Sequence, residues 1–233
     1  MRGSRYEREP MRLHTSPPAA PSRAVDAGVH PLGLGRERDG LLSVPPGYRP
    51  DVAAPLLVLL HGAGADAACL LPTYQRQADA AGVLVLAPDS RNTTWDMIHG
   101  EHGPDVAFLD AALERVFSAC AVRPDRIAIG GFSDGASYAL SLGLANGSLF
   151  ADILAFSPGF AAPPAYQGKP RVFISHGTAD TVLPIDRCGR VVRACLMMAG
   201  YEVLYREFDG GHRVPAAAID EAFRWWLGGG RSP

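Results

Sequence analysis

The chain reads RIAIGGFSDGASYALSLGLAN from residue 126 to residue 146. The apolar run RIAIGG precedes a serine flanked by glycines, and the helical pattern ASYALSLGLAN follows it. A strand, a tight turn and a helix in this order form the context in which a Gly-x-Ser-x-Gly turn raises a nucleophilic serine above a sheet. The pattern therefore predicts that Ser133 is a catalytic nucleophile. The alternative is a glycine-rich turn in which Ser133 only caps the helix.

Apolar runs and helical patterns alternate on both sides of this turn. The predicted strands are GLLSVPPGY (40–48), PLLVLLHG (55–62), GVLVLAPDS (82–90), RIAIGG (126–131), ADILAFS (151–157), RVFISHG (171–177) and EVLYREF (202–208). The predicted helices are 70–82, 105–120, 136–146, 188–200 and 217–227. This alternation predicts an α/β fold with a mostly parallel, doubly wound sheet and helices on both faces. We expect the first of these strands to lie at an edge of the sheet.

The length of 233 residues suits one domain with a sizeable buried core. Residues 1–36 are rich in Pro, Arg and Gly and show no sustained periodicity, so we expect a disordered or loosely attached tail. Residues 37–233 then form a single catalytic domain. No long insertion separates ADILAFS from RVFISHG, which leaves little room for a helical cap and favours an open cleft.

A histidine and an acid stand where a serine nucleophile needs them. Hydrolases that hold the nucleophile in this kind of strand-to-helix turn carry their triad in the chain order serine, acid, histidine. His212 lies in the loop FDGGHRVP after the last predicted strand, and Asp180 follows the strand RVFISHG. We expect His212 to be the general base and Asp180 to orient it. Asp186 is the alternative acid, although it is better placed to cap the following helix.

The segment HGAGAD (61–66) follows an early buried strand. Backbone amides at this position and at the residue after the nucleophile stabilise the oxyanion in hydrolases of this kind. We expect the donors to be Ala63 and Asp134, with Gly64 as the fallback and as a substrate contact. His61 is expected to be a structural hydrogen-bonding residue.

In these pieces, LLHGAGAD, GGFSDGA, SHGTADTVLP and GGH, the chain resembles the phospholipase/carboxylesterase group of α/β-hydrolases, which includes acyl-protein thioesterases. It is also similar to polyhydroxybutyrate-depolymerase-like and feruloyl esterases through PDVAFLDAAL (104–113). The resemblance covers about four fifths of the chain. It implies an α/β-hydrolase fold without a cap domain and the cleavage of carboxylic esters or thioesters. Many members carry Gln after the nucleophile, whereas this chain has Asp134, whose carboxylate is expected to disfavour anionic substrates.

Two segments are candidates for the walls of the substrate pocket. Trp95 lies in the polar loop 90–105, where it either lines an acyl pocket or only packs the loop. Phe160, with the proline-rich segment after it, is expected to form the opposite wall. His99, Glu101, His102 and Asp105 match no known zinc spacing, so we expect neither a metal nor a cofactor.

The bulk composition excludes several classes of partner. The formal net charge is −2 and the sequence pI is about 6.4, which does not suggest nucleic acid or an anionic membrane surface. No run approaches the length of a membrane span, so stable membrane insertion is not expected. Four cysteines without a CxxC pair or an export signal favour reduced thiols and a cytoplasmic location. A homodimer is compatible with the sequence, which does not determine the oligomeric state.

We therefore expect a serine esterase that acts on a small ester, with short-chain or aryl esters favoured. A thioesterase or other acyl hydrolase on the same triad is the first alternative, and a non-catalytic binding protein with this fold is the second. A nucleotide-binding protein is disfavoured because the chain lacks a phosphate loop and a dinucleotide fingerprint.

Overall fold

The computed structural model of the protein describes residues 11–18, 25–35, 37–99 and 103–229. The strands formed by these residues are β1 (Gly28–Pro31), β2 (Gly40–Val44), β3 (Ala54–Leu60), β4 (Leu84–Pro88), β5 (Val122–Phe132), β6 (Asp152–Phe156), β7 (Arg171–Gly177) and β8 (Val203–Phe208). The helices are α1 (Ala67–Ala81), α2 (Pro104–Ala119), α3 (Asp134–Ala145), α4 (Gly189–Met198) and α5 (Ala216–Gly228). A short 3-10 helix spans Asp96–His99.

The strands form one sheet in the order β1-β2-β4-β3-β5-β6-β7-β8. Strands β3 to β8 are parallel, and β1 and β2 are added antiparallel on one side. The predicted mostly parallel α/β sheet is therefore confirmed. The chain runs outward from β3 to β4 and then returns to β5 on the other side of β3. Ligands of α/β sheets bind beyond the carboxyl ends of the strands at such a reversal.

Helices cover both faces of the sheet, which explains why the central strands are continuous apolar runs. In β3, Leu56 and Val58 pack on one face together with residues of α2 and α3. Leu57 and Leu59 point to the other face and pack with residues of α1 and α5. The alternating sides of one strand thus belong to two different hydrophobic clusters.

The sheet extends one strand further than expected. The segment 40–48 was predicted to hold an edge strand, but β2 pairs with both β1 and β4, so β1 is the edge. Strand β1 has only four residues, GVHP, and these are too few to show a strand periodicity. Its proline is compatible with an edge, where an amide donor is not needed on the open side.

The expectation of a disordered or loosely attached tail over residues 1–36 is wrong for the parts of that segment that the structure describes. Met11 and Leu13 are buried in the core cluster with residues of α2 and α3. The Asn146 side chain accepts from the Leu13 amide at 2.9 Å and donates to the Met11 carbonyl at 2.7 Å. These partners lie more than 130 residues away in sequence, so local patterns do not reveal them. Residues 1–10, 19–24 and 36 lie outside the described residues.

The segment between β6 and β7 is short and contains no helix from residue 157 to residue 170, all of which are described. This agrees with the expected lack of a helical cap over the sheet at that point. Within the described ranges, no helix combines the length and the apolar character that a membrane span requires.

Candidate active site

The turn between β5 and α3 holds Ser133 in a strained conformation. Its φ is 58° and its ψ is −121°, a region that residues other than glycine rarely adopt. A Cβ atom on Gly131 would lie 2.6 Å from the Leu60 carbonyl oxygen, and one on Gly135 would collide with the Leu60 and His61 carbonyl oxygens. Both flanking glycines are therefore required for the close approach of this turn to β3. The Ser133 amide donates to the Phe156 carbonyl at 3.0 Å, which ties the turn to β6.

The structure brings together the three residues that were predicted to form a triad. His212 Nε2 lies 2.8 Å from Ser133 Oγ, and His212 Nδ1 lies 2.7 Å from Asp180 Oδ2. Ser133 follows β5, Asp180 follows β7 and His212 follows β8, so all three lie beyond the carboxyl ends of parallel strands. The Ser133 side chain makes no capping bond to α3, unlike a serine that only begins a helix.

The Asp180 carboxylate is fixed by its surroundings and remains charged. Its Oδ1 atom accepts from the amides of Val182 and Leu183 at 2.9 and 2.8 Å. Burial raises the pKa of Asp180, but the hydrogen bonds from His212, Leu183 and Val182 outweigh burial, and the net pKa is below its ordinary value. An ionised carboxylate in this position sets the His212 tautomer, with Nδ1 as donor and Nε2 free to accept the serine proton.

A second histidine stands behind the acid. His176 is fully buried at the end of β7, and its Nε2 lies 2.8 Å from the Leu183 carbonyl oxygen and 3.2 Å from Asp180 Oδ2. Its Nδ1 has no hydrogen-bond partner in the described part of the chain and faces Gly189, where a Cβ would lie 2.5 Å away. Nε2 therefore carries a proton, because both groups within hydrogen-bonding distance of it are acceptors. This residue was not predicted from the sequence, although it stands in the segment SHGTADTVLP.

Asp186, the alternative acid, does not take part in this arrangement. Its side chain is exposed and forms an ion pair with Arg190 at 2.6 Å. It also does not cap α4 as expected, because Cys188 occupies the cap position and makes no side-chain capping bond.

The expected oxyanion donors lie on the two sides of Ser133. The Gly64 amide donates to the Thr93 carbonyl at 2.7 Å and is thus already occupied. Ala63, the residue before Gly64, is exposed. Its amide donates no hydrogen bond to any of the described residues. The geometry favours Ala63 over the fallback Gly64. A Cβ on Gly62 would lie 3.4 Å from Ser133 Cβ, so this loop passes close to the nucleophile.

His61 anchors the loop from within the protein. Its Nδ1 lies 2.8 Å from the Gly62 carbonyl oxygen, and its Nε2 accepts from the Ser90 amide at 3.0 Å. Burial lowers the pKa of His61, which keeps the ring neutral. The Arg38 guanidinium adds a contact to His61 Nε2 at 3.3 Å and donates to the Ala65 carbonyl at 3.0 Å. His61 thus makes structural hydrogen bonds, as expected. The contribution of Arg38 to this loop was not predicted from the sequence.

Of the two interpretations of Trp95, the structure contradicts a wall of the substrate pocket and supports packing of the loop. The indole is fully buried, donates to the His61 carbonyl at 2.9 Å and stacks on Tyr138 at a centroid distance of 5.1 Å. It therefore packs the loop 90–99 against the core, which was the alternative interpretation. The loop end is fixed by buried carboxylates, because Asp96 accepts from the Asp105 amide at 3.0 Å and Asp105 accepts from the Asp96 amide at 2.6 Å.

Asp105 was also one of four residues considered as metal ligands. Its carboxylate is used by backbone amides, and burial raises its pKa above the ordinary value. Glu101 and His102 lie outside the described residues. In the ranges that are described, no three His, Cys, Asp or Glu side chains form a group suited to a metal ion.

Phe160 is accessible in a loop that is bonded to the first turns of α3. Its side chain is 38% exposed, and the preceding Gly159 amide donates to Ser137 Oγ on α3 at 2.9 Å. A Cβ on Gly159 would lie 3.4 Å from Leu183 Cδ2, so this loop contacts the loop that carries Asp180. Val182 is 63% exposed in that second loop. We call Phe160, Val182 and Leu183 the apolar shelf. Of these three residues, only Phe160 was predicted from the sequence.

Comparison with known proteins shows which family the chain belongs to. The sequence profile described as phospholipase/carboxylesterase matches residues 106–222, half of the chain. Feruloyl esterase C of Emericella nidulans is 30% identical over 186 residues, which cover 76% of this chain and 66% of that protein. Acyl-protein thioesterase 1 of Gibberella zeae is 30% identical over 108 residues, covering 42% of this chain and 46% of its own. The chain thus spans less than two thirds of the length of these curated relatives.

Among solved structures, the crystal structure of esterase PE8 superimposes with a TM-score of 0.67 at 24% identity. The superposition covers 83% of this chain and 99% of that one. The likeness establishes the α/β-hydrolase fold.

Proposed function

Because the chain belongs to the phospholipase/carboxylesterase family, we propose that it is a serine hydrolase that cleaves carboxylic esters through an acyl-enzyme on Ser133. The observation that carries the proposal is the continuous hydrogen-bonded chain from Asp180 through His212 to Ser133 Oγ. A serine hydroxyl is a weak nucleophile at neutral pH, and an adjacent oriented base is what activates it.

In the acylation step, His212 Nε2 takes the proton of Ser133 Oγ while Oγ forms a bond to the ester carbonyl carbon. The carbonyl oxygen becomes an oxyanion, which accepts hydrogen bonds from the amides of Ala63 and Asp134. The bond to the alcohol oxygen then breaks, and this oxygen takes the proton from His212. The alcohol leaves, and the acyl group stays on Ser133.

In the deacylation step, a water molecule takes the place of the alcohol. His212 Nε2 removes one proton from the water as its oxygen attacks the acyl carbon. The bond to Ser133 Oγ breaks, and Oγ recovers its proton from His212. The net reaction is ester plus water to carboxylic acid plus alcohol, and the enzyme is regenerated. Asp180 stays ionised throughout and stabilises the imidazolium in both steps.

The accessible surroundings of Ser133 favour small or aryl esters. The apolar shelf offers an exposed aromatic ring, and the amides of its two aliphatic residues are bonded to Asp180. The residues between β6 and β7 form no helical cap that would enclose a long acyl chain. The similarity to feruloyl esterase C supports aryl esters as one group of substrates to examine first.

Hydrolysis of p-nitrophenyl esters from acetate to palmitate, with wild type and Ser133→Ala side by side, tests the proposal. We expect turnover that peaks at short chains and that Ser133→Ala abolishes while circular dichroism shows an intact fold. Turnover near the wild-type rate in Ser133→Ala would reject the mechanism. An absence of wild-type turnover on every ester in the series would reject a general esterase.

A thioesterase is the second candidate, and the similarity to acyl-protein thioesterase 1 favours it. The same acylation applies to a thioester, with a thiol in place of the alcohol as the leaving group. Matched oxygen and sulfur esters of one acyl group, phenyl acetate and S-phenyl thioacetate, separate the two candidates. A clearly higher kcat/KM for the sulfur ester would favour the thioesterase.

We further propose a reducing compartment, the cytoplasm, as the location. All four cysteines are free, and two of them, Cys69 and Cys195, are exposed. Exposed free thiols suit a reducing environment better than an oxidising one. A homodimer stays open as a prediction, and size-exclusion chromatography with light scattering decides it.

A further inference from the structure

The residue after the nucleophile carries a negative charge into the candidate site. Asp134 is the first residue of α3, and its amide is the proposed second oxyanion donor. The carboxylate is attached to the same residue as that amide, so it lies within a few atoms of the bound carbonyl group. The residue is only partly buried, so its charge is not shielded from solvent.

A hydrogen bond from the loop 90–99 fixes the position of this carboxylate. Thr94 Oγ1 donates to Asp134 Oδ2 at 2.8 Å, and Thr94 itself is only 6% exposed. The loop that carries Thr94 is held by the bond from the Gly64 amide to Thr93 and by the bond from the Trp95 indole to His61. Both of these bonds connect the Thr94 loop to residues 61–66, which we call the oxyanion loop. The carboxylate is therefore held in a fixed position beside the proposed oxyanion site.

No Lys or Arg in the described ranges forms an ion pair with Asp134. The Arg38 guanidinium contacts the segment 61–66, but it is directed at His61, Ala65 and Ser90. Arg213, beside His212, donates instead to the Asp209 carbonyl at 3.3 Å and lies 6.0 Å from the Phe208 ring centroid. The hydrogen bond from neutral Thr94 orients the negative charge without cancelling it.

From this arrangement we infer that Asp134 determines specificity by charge. It selects esters whose groups near the scissile carbonyl are neutral or positively charged, and it disfavours esters with a carboxylate there. The inference rests on the proposed esterase function and narrows its substrate class. Two like charges about 6–8 Å apart at a partly exposed site repel enough to change kcat/KM by about tenfold.

A carboxylate at the first position of a helix also has a purely structural role, because it complements the helix dipole. Loss of that role would lower stability and would affect all substrates alike. The ratio of kcat/KM for a neutral ester to kcat/KM for its anionic counterpart therefore separates the two roles.

The test uses mono-p-nitrophenyl adipate, which is anionic, and its methyl ester, which is neutral and otherwise the same. We expect wild type to prefer the neutral ester by about tenfold or more and Asp134→Asn to lower this preference by about tenfold. Glu202→Gln is the matched control, since it removes one exposed negative charge at the amino-terminal end of β8, away from Ser133. It should leave the ratio unchanged.

A second readout uses only the wild-type protein and does not depend on a variant that folds. The preference for the neutral ester should shrink as ionic strength rises from about 0.02 to 0.5 M, because salt screens the repulsion. The inference would be overturned if the neutral ester is hydrolysed but neither Asp134→Asn nor salt changes the ratio of kcat/KM values. A lack of Ser133-dependent hydrolysis of the neutral ester would instead overturn the proposed function.

Discussion

Ser133 shows how a single residue is prepared for reaction by its backbone. Its positive φ is maintained because Gly131 and Gly135 allow the turn to approach β3 closely and because its amide is bonded to Phe156. The strain places Oγ within hydrogen-bonding distance of His212 rather than over the end of α3. The glycines of the motif are thus explained by contacts, and the sequence alone was sufficient to locate them.

Replacement of the acid tests its role at the residue scale. Asp180→Asn should lower kcat on p-nitrophenyl acetate by a factor on the order of 10⁴, because an amide no longer sets the His212 tautomer or stabilises the imidazolium. Asp186→Asn is the matched control, since that carboxylate is exposed and contacts only Arg190 among the described residues. It should retain activity close to wild type. Equal losses in the two variants would contradict the assignment.

The lowered pKa of Asp180 gives a second prediction, for stability. In the folded protein the pKa of Asp180 is lower than its ordinary value of 3.8. The contribution of the ionised carboxylate to the free energy of unfolding is therefore fully present above pH 3.8. The contribution is lost as the pH falls through the lower pKa of the folded state. Asp180→Asn should therefore be less stable than wild type at pH 7, and the difference should narrow towards pH 3. Urea unfolding at pH 7, 5 and 3 measures this, and a difference that is constant with pH would contradict it.

At the scale of elements, the connection from β7 to α4 supports the site from behind. His176 ends β7, reaches the carbonyl of Leu183 and lies close to Asp180, and Gly189 at the start of α4 packs directly on its ring. The helix and the strand therefore fix the loop that carries the acid. The sequence predicted both elements, but it did not predict this contact between them, because nothing in the pattern of β7 separates His176 from an ordinary core residue.

Gly189→Ala should disturb this connection. The new Cβ would lie 2.5 Å from His176 Nδ1 and 3.0 Å from its Cγ, so the ring or the helix must move. We expect a loss of about 1–3 kcal/mol in the free energy of unfolding, together with reduced kcat.

Gly228→Ala is the matched control for this substitution. It also lies at a helix end, and a Cβ there has no neighbour within 4 Å among the described residues. Its free energy of unfolding should change by less than about 0.5 kcal/mol. Thermal or urea unfolding of both variants, together with their activity on one ester, tests this prediction. Equal losses of stability and activity in the two variants would contradict the packing of Gly189 against His176.

At the scale of the whole molecule, residues 11–15 are part of the folded body. Residues near Met11 and Leu13 pack against α2 and α3, and the buried Asn146 side chain bonds to both of them. Asp110 on α2 accepts from the amides of His14 and Thr15, each at 2.9 Å. This segment therefore bridges two helices that cover one face of the sheet.

Asn146→Ala should weaken that bridge without affecting the chemistry. It leaves the Leu13 amide and the Met11 carbonyl without a partner in a buried place, which costs about 1–3 kcal/mol. Ser148→Ala is the control, because it removes only an exposed bond to Gln167. Urea unfolding should show the larger loss for Asn146→Ala, with kcat of the folded protein unchanged. A loss no larger than that of Ser148→Ala would contradict a structural role for the segment.

The whole molecule also shows what the sequence could and could not predict. The strand and helix order and the identity of the turn after β5 follow from periodicity and glycine placement, which are local. The edge strand β1 is too short to show a strand periodicity, whereas the buried segment around Leu13 and the burial of Trp95 depend on partners far away in sequence. The same holds for Thr94, whose bond to Asp134 spans 40 residues. Long-range contacts of this kind leave no local pattern.

The central claim is that the hydrogen-bonded chain from Asp180 through His212 activates Ser133. The most direct measurement is covalent labelling by a fluorophosphonate, read by peptide mass spectrometry in wild type, Ser133→Ala and His212→Ala. We predict that the label is on Ser133 in wild type, absent in Ser133→Ala and strongly slowed in His212→Ala. A label on another residue, a rate that does not change without His212, or no labelling of folded wild type would contradict the account.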